Sequence, residues 1–155
     1  MNIKIETCFT EQQKDSVLRL WNEEYPQKLQ YSSVSEFDHY LDGLADKKYF
    51  FLVDDQEDIR GWAASFIRDQ ERWFAILLSG TLQGQGFGTM LLNEIKKAES
   101  HLFGWVIDEN KELKANGELY QSPLYFYKKN DFIIQTDIRL ESEKMSAVRI
   151  EWTKQ

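Results

Sequence analysis

The stretch "SGTLQGQGFGTMLLNEIKK", Ser79 to Lys97, constrains this chain more than any other. Gly84, Gly86 and Gly88 stand at alternate positions where an apolar run gives way to a helical pattern. A glycine at a helix start costs about 1 kcal/mol relative to alanine. Three together imply a backbone that bends tightly or lets another group approach closely. On the N-terminal side, "RWFAILLS" reads as a strand apolar enough to lie centrally in a sheet. On the C-terminal side, Phe87, Leu91, Ile95 and Ala98 share one helical face at spacings of three and four. A turn from a buried strand into a helix N-terminus gathers unpaired N–H groups and a partial positive charge, which suits phosphate.

The flanking sequence supplies an α/β frame for this turn. "NIKIETC" alternates like a first strand, and Thr10-x-x-Gln13 is a capping-box signal ahead of a stripe of Val17, Leu18 and Trp21. A second box, Ser33-x-x-Glu36, opens a helix carrying Phe37, Tyr40, Leu41 and Leu44. "KKYFFLVDD", the turn "DQED" and "IRGWAASFIR" read as a hairpin leading into the central strand. After the glycines and their helix come the strand "HLFGWVID", a polar loop "ENKELKANGE" and a short helix at "PLYFYKKN" behind Ser122-Pro123. "FIIQTDIRL" and "MSAVRIEW" close as a hairpin. The order β-α-α-β-β-β-α-β-α-β-β predicts a single α/β domain over residues 1–155. Its sheet is mixed and mostly antiparallel, with flanking helices, and one crossover follows the glycine turn.

Acidic residues outnumber Lys plus Arg by 26 to 19, which disfavours nucleic acid and suits a cationic small molecule. The pairs Lys96-Lys97 and Lys128-Lys129 read as solvated helix faces. With one cysteine, Cys8, no intramolecular disulfide can form, and Cys8 is expected in the core. His39 and His101 stand alone, so no metal is expected. Charges near the start and the lack of a long apolar stretch predict a cytoplasmic protein that does not enter membranes.

Two familiar phosphate loops fail here. Thr89 stands where a dinucleotide fingerprint needs its third glycine, and no Gly-Lys-Ser/Thr ends the turn. Gln83-x-x-Gly86-x-Gly88 instead resembles the Q/R-x-x-G-x-G/A motif of the GNAT superfamily of N-acetyltransferases, as a small bacterial-type member would carry it. "SPLYFYKKNDF", 122–132, is similar to that family's later signature, with the aromatic pair Phe126-Tyr127 and a closing Phe132. Asp131 replaces the usual glycine before that aromatic, Tyr120 replaces a frequent asparagine, and the loop around Glu109–Glu118 is longer than usual.

The resemblance implies acetyl-CoA as co-substrate, with its pyrophosphate along Leu78, Gln83, Gly84, Gln85, Gly86, Phe87, Gly88 and Thr89. It implies direct attack by a small amine on the thioester, with Tyr127 protonating the departing sulfur. A phenol of pKa near ~10 lies within about two units of a thiol. No general base stands out: Asp69 and Glu71 lie in a turn, and Glu23 and Glu24 end the first helix, where they could meet a cationic acceptor. Trp21, Tyr25 and Tyr31 could line the acceptor pocket or simply pack. The alternative function is a catalytically silent module that binds acyl-CoA; a longer acyl group and a homodimer both stay open.

Overall fold

The capping box at Thr10 closes in both directions. The Thr10 hydroxyl accepts from the Gln13 N–H at 3.1 Å, and the Gln13 side-chain oxygen accepts from the Thr10 N–H at 2.9 Å. It launches helix α1 (Glu11–Glu24) behind strand β1 (Asn2–Glu6) in the computed structural model, which describes residues 1–155. Helix α2 (Val34–Asp42) follows a 3-10 turn, and the Ser33 hydroxyl caps it by accepting from the Glu36 N–H. The Glu36 carboxylate bonds Ser32 instead of Ser33, so this second box closes in one direction only.

Strands β2 (Ala45–Val53), β3 (Ile59–Arg68) and β4 (Glu71–Leu78) form an antiparallel meander. Asp69 and Gln70 link β3 to β4 with φ of 52° and 66°, the left-handed pair that a tight hairpin needs. Helix α3 (Phe87–Lys97) crosses over to β5 (His101–Ile107), which lies parallel to β4. Helix α4 (Leu124–Lys129) then leads to β6 (Ile133–Glu141) and β7 (Ser146–Thr153). The closing hairpin is threaded so that β7 pairs with β5, giving the order β1-β2-β3-β4-β5-β7-β6.

Both faces of the sheet are covered, which explains the unbroken apolar runs in its middle strands. Tyr49, Phe51 and Val53 join the core under α1 and α2, while Phe50 and Leu52 join the core under α3 and α4. The buried face of α3 is Leu91, Leu92 and Ile95; Ala98, expected there, is the exposed helix end. Lys96 is not solvated either. Its ammonium donates to the Asn130 carbonyl at 2.7 Å and lies over the Phe132 and Trp152 rings, and burial lowers its pKa. Cys8 is exposed, because it falls just after β1 on the way to α1 and not within a packed element. No helix is long and apolar enough to cross a membrane.

Candidate active site

The sheet opens between its two parallel strands. β3 and β4 pair along their full length, from Gly61↔Leu78 to Arg68↔Glu71, whereas β4 and β5 share only the register pair Trp73↔Phe103. Bulky rings fill the divergence. Trp73 lies 5.3 Å from Trp105, and the Phe74 ring crosses Gly104 so closely that a Cβ there would stand 2.9 Å from its edge. Beyond that wedge the β4 edge loses its partner, and the Tyr25 hydroxyl approaches the Ile76 carbonyl across the gap at 3.5 Å.

The glycine turn lies at the end of β4 on one side of this gap, and its three glycines do different jobs. Gly84 and Gly86 adopt φ of 78° and 88°, left-handed backbone that costs other residues about 1–2 kcal/mol. Gly88 is helical, and its missing side chain admits the Phe126 ring, whose edge would sit 3.1 Å from a Cβ. The backbone N–H groups of Gly84, Gln85, Gly86, Phe87, Gly88 and Thr89 have no acceptor in the protein, and no side chain caps α3. Six consecutive unpaired donors at a helix N-terminus form a ready anion site.

A cavity of about 370 Å³ runs along this turn, lined by Leu78, Gln83, Gly84, Gly86, Gly88 and Thr89 and flanked by Phe126 and Lys129. Gln85 and Phe87 are not in its lining. The Gln85 amide turns back to the Thr81 carbonyl at 3.0 Å, and the Phe87 ring packs against the core. The N–H groups of both residues are nevertheless without a protein acceptor. The donor set suits a diphosphate: neutral amides, one nearby ammonium on Lys129, and no Cβ over Gly84 or Gly86.

A second cavity, about 460 Å³, lies on the α1–α2 side and is almost wholly apolar. Trp21, Tyr25 and Tyr31 line it, so residues expected either to pack or to line a pocket do both; the Trp21 indole also donates to the Leu29 carbonyl at 2.8 Å. Arg68 is the one charged residue among its walls.

The two cavities share Tyr25, Ile76, Tyr120, Pro123 and Tyr127, the residues around the strand gap. Tyr127 is 6% exposed, with its ring held between Phe74, Phe126 and Phe132. Asp131, with φ of 72°, supplies the left-handed residue that ends α4, which answers for the missing glycine. Three buried polar side-chain atoms are sealed without partners, the Trp62 and Trp73 indole nitrogens and the Ser65 hydroxyl, and Tyr127 itself lines both cavities. Burial pushes its pKa well above the usual phenol value, and the neighbouring Tyr120 adds to this. The expected near-match to a thiol is therefore lost, and the phenol is firmly neutral.

A family model for the acetyltransferase (GNAT) family matches residues 14–121. The chain belongs to the GNAT acetyltransferase family. The matched span includes most of α1, the sheet meander and the glycine turn, and stops before Tyr127. No curated protein matches the sequence significantly. Solved structures share the fold across nearly the whole chain. An aminoglycoside 6'-acetyltransferase type Ii superposes with a TM-score of 0.74 at 16% identity, covering 99% of this chain and 97% of the other. An aminoglycoside 6'-N-acetyltransferase in complex with coenzyme A gives 0.72 at 14%, with coverage of 99% and 97%. A spermidine N-acetyltransferase from Vibrio cholerae gives 0.67 at 16%, with coverage of 99% and 95%.

Within this GNAT fold the carboxylates considered as bases or acceptor ligands are elsewhere or engaged. Glu24 faces the glycine-side cavity, but its oxygens accept from the Gly80 N–H at 2.8 Å and from Lys114 at 2.9 Å. Glu23 is exposed, and Asp69 and Glu71 belong to the hairpin at the far end of β4, where Glu71 faces His101 at 3.7 Å. His101 also pairs with Glu151, and His39 is exposed; no cluster of three metal-ligating side chains exists. The polar loop 109–118 has a role that its sequence concealed. It folds as a small hairpin closed by Leu113↔Leu119, and Leu113 and Lys114 bond back to Gln27 and Glu24. This ties β5 to the end of α1 beside the shared opening.

Proposed function

We propose that this GNAT protein is an acetyl-CoA-dependent N-acetyltransferase that moves an acetyl group directly to a primary amine of a small molecule or peptide. One observation carries the reading: a turn with six consecutive unpaired N–H groups, four of them on residues that line one cavity, lies beside a second, apolar cavity that shares Tyr127 with the first. The turn from Gln83 to Thr89 would hold the pyrophosphate. Acetyl-CoA supplies the activated acyl group, and the chain's own residues place the two reactants and exclude water. The edge of β4 at Ile76 has no strand partner on the gap side, where only the Tyr25 hydroxyl reaches the Ile76 carbonyl, and an extended ligand would align along it.

On this reading Tyr127 donates a hydrogen bond to the leaving sulfur. Because its phenol is less acidic than a free one, complete proton transfer is uphill until negative charge builds on that sulfur. Donation to a developing thiolate in a dry site is then the stabilising interaction.

Two readouts test the proposal: thermal shift with acetyl-CoA, NAD and ATP, and thiol release over a panel of amines. A ligand at 100 times its dissociation constant adds about 2.7 kcal/mol to stability, a visible shift. Acetyl-CoA should stabilise most and release thiol with at least one amine. Greater stabilisation by NAD or ATP would overturn the site assignment. Stabilisation without thiol release from any amine would make the protein a silent acyl-CoA-binding module.

A further inference from the structure

The larger cavity has an unusual charge pattern for an amine site. Of its 20 lining residues none is a carboxylate, and Arg68 is the one cation. Arg60, Arg72 and Arg139 each hold an Asp or Glu, whereas Arg68, like Arg19 and Arg149, makes no salt bridge, and of these three only Arg68 lines a cavity described above. Its guanidinium carbon lies 5.0 Å from the Phe66 ring centroid and 5.3 Å from that of Trp73. Stacking on two rings fixes the planar fork without using its N–H donors. The Trp73 indole nitrogen, on one of those rings, is buried and also lacks an acceptor.

Resting on the acetyltransferase reading above, we infer that the acceptor is an elongated, largely apolar primary amine with an anionic group at its far end, and that Arg68 binds that group. The length follows from the strand. Ile76 lines the shared opening and Trp73 lies beneath Arg68, so three β4 residues, roughly 10 Å, separate the reacting end from the anion end. An α-amino acid's own carboxylate is too close to its amine to span this. An ω-amino carboxylic acid or the N-terminus of a short apolar peptide fits. The walls between the two ends are rings, chiefly Trp21, Tyr25, Tyr40 and Trp105, which suit methylene or aryl groups.

A polycation is the wrong shape of charge for this cavity. Its distal ammonium would leave water, find no carboxylate in the cavity lining and face Arg68, whose cross-strand partner Glu71 is turned towards His101 instead. The same pattern helps the reacting amine. An apolar cavity holding one positive charge favours the neutral amine over the ammonium ion, so a weak base or water can remove the proton. This accounts for a site with no free carboxylate near its opening.

Three probes share one chain and differ at the far end: 8-aminooctanoate, octylamine and 1,8-diaminooctane. Calorimetric binding of each to the CoA-saturated protein, alongside kcat/KM with acetyl-CoA, reads the preference with and without turnover. The carboxylate should bind best and the diamine worst, with about tenfold or more between the extremes, as charge-assisted bidentate pairs are strong. Arg68→Met keeps the stem over the rings and should collapse that preference to within about threefold while leaving CoA affinity unchanged. Equal binding of the three probes, preference for the diamine, or an unaltered order in Arg68→Met would overturn the inference. Loss of CoA binding in the parent protein would instead strike the acetyltransferase reading, and the binding order of the three amines would still decide this one.

Discussion

Replacing Tyr127 by phenylalanine removes one oxygen from the junction of the two cavities. The ring contacts that hold it, at centroid distances of 5.8 Å to Phe74 and 5.4 Å to Phe132, survive intact. A buried hydroxyl typically contributes about 1 kcal/mol through its hydrogen bond. Here the hydroxyl bonds nothing in the protein, so the expected change in stability is near zero, within about 0.5 kcal/mol either way. A donor acting only as charge develops on sulfur should cost about 10²-fold in kcat, equivalent to roughly 2.7 kcal/mol of barrier at 1.36 kcal/mol per decade. The affinity for CoA should stay constant, because the anion site lies along Gly84–Thr89. Steady-state kinetics at saturating amine, CoA calorimetry and denaturant unfolding together form the assay. A kcat within twofold of the parent would refute the catalytic role. A stability loss above about 1 kcal/mol would show that the hydroxyl has a structural bond instead.

Two further outcomes follow from the same geometry. Gly86→Val places a β-branched residue at φ 88°, a strain of about 1–3 kcal/mol, although no atom lies within 4 Å of its Cβ. Relief by rotation would turn the N–H series away, so CoA affinity should fall at least about tenfold; unchanged calorimetric affinity in a folded variant would remove the turn from the site. Alkaline pH should unfold the protein through its buried phenols. Burial raises Tyr49 and Tyr120 to about 12 and pushes Tyr25, Tyr40 and Tyr127 up as well. The folded state therefore holds these protons above pH ~10, where the unfolded chain releases them. That contribution to stability is complete below pH ~10 and is lost as pH rises through about 12. Tyrosinate absorbance should rise together with unfolding; ionisation of all seven tyrosines in one step near pH 10, with the fold intact, would contradict the burial argument.

The elements and the glycine turn could be read along the chain because their signals are local. A capping box needs four residues, a strand of alternating or continuous apolar character needs about eight, and a left-handed turn announces itself by glycine. Asn130 and Asp131 both tolerate the left-handed conformation that glycine usually supplies there, and only the fold assigns it to Asp131, at φ 72°. What each glycine does was not local. Gly84 and Gly86 answer to their own φ, whereas Gly88 answers to Phe126, 38 residues further along.

Which charged groups meet which cavity depends on contacts between distant parts of the chain. The net acidic charge of the chain suggested a cationic ligand, yet its carboxylates are spent on lysines and arginines or left in solvent, and none lines the larger cavity. Glu24 looked like an end-of-helix acid until the fold brought Lys114 and the Gly80 N–H to it, from 90 and 56 residues away. Nothing local marks Arg68, which ends a strand beside a hairpin turn. Only the parting of β4 from β5, produced by Trp73, Phe74 and Trp105 meeting across Gly104, turns its surroundings into a cavity. Spacing along a chain reports which face a residue occupies; the potential it feels depends on which distant groups that face meets.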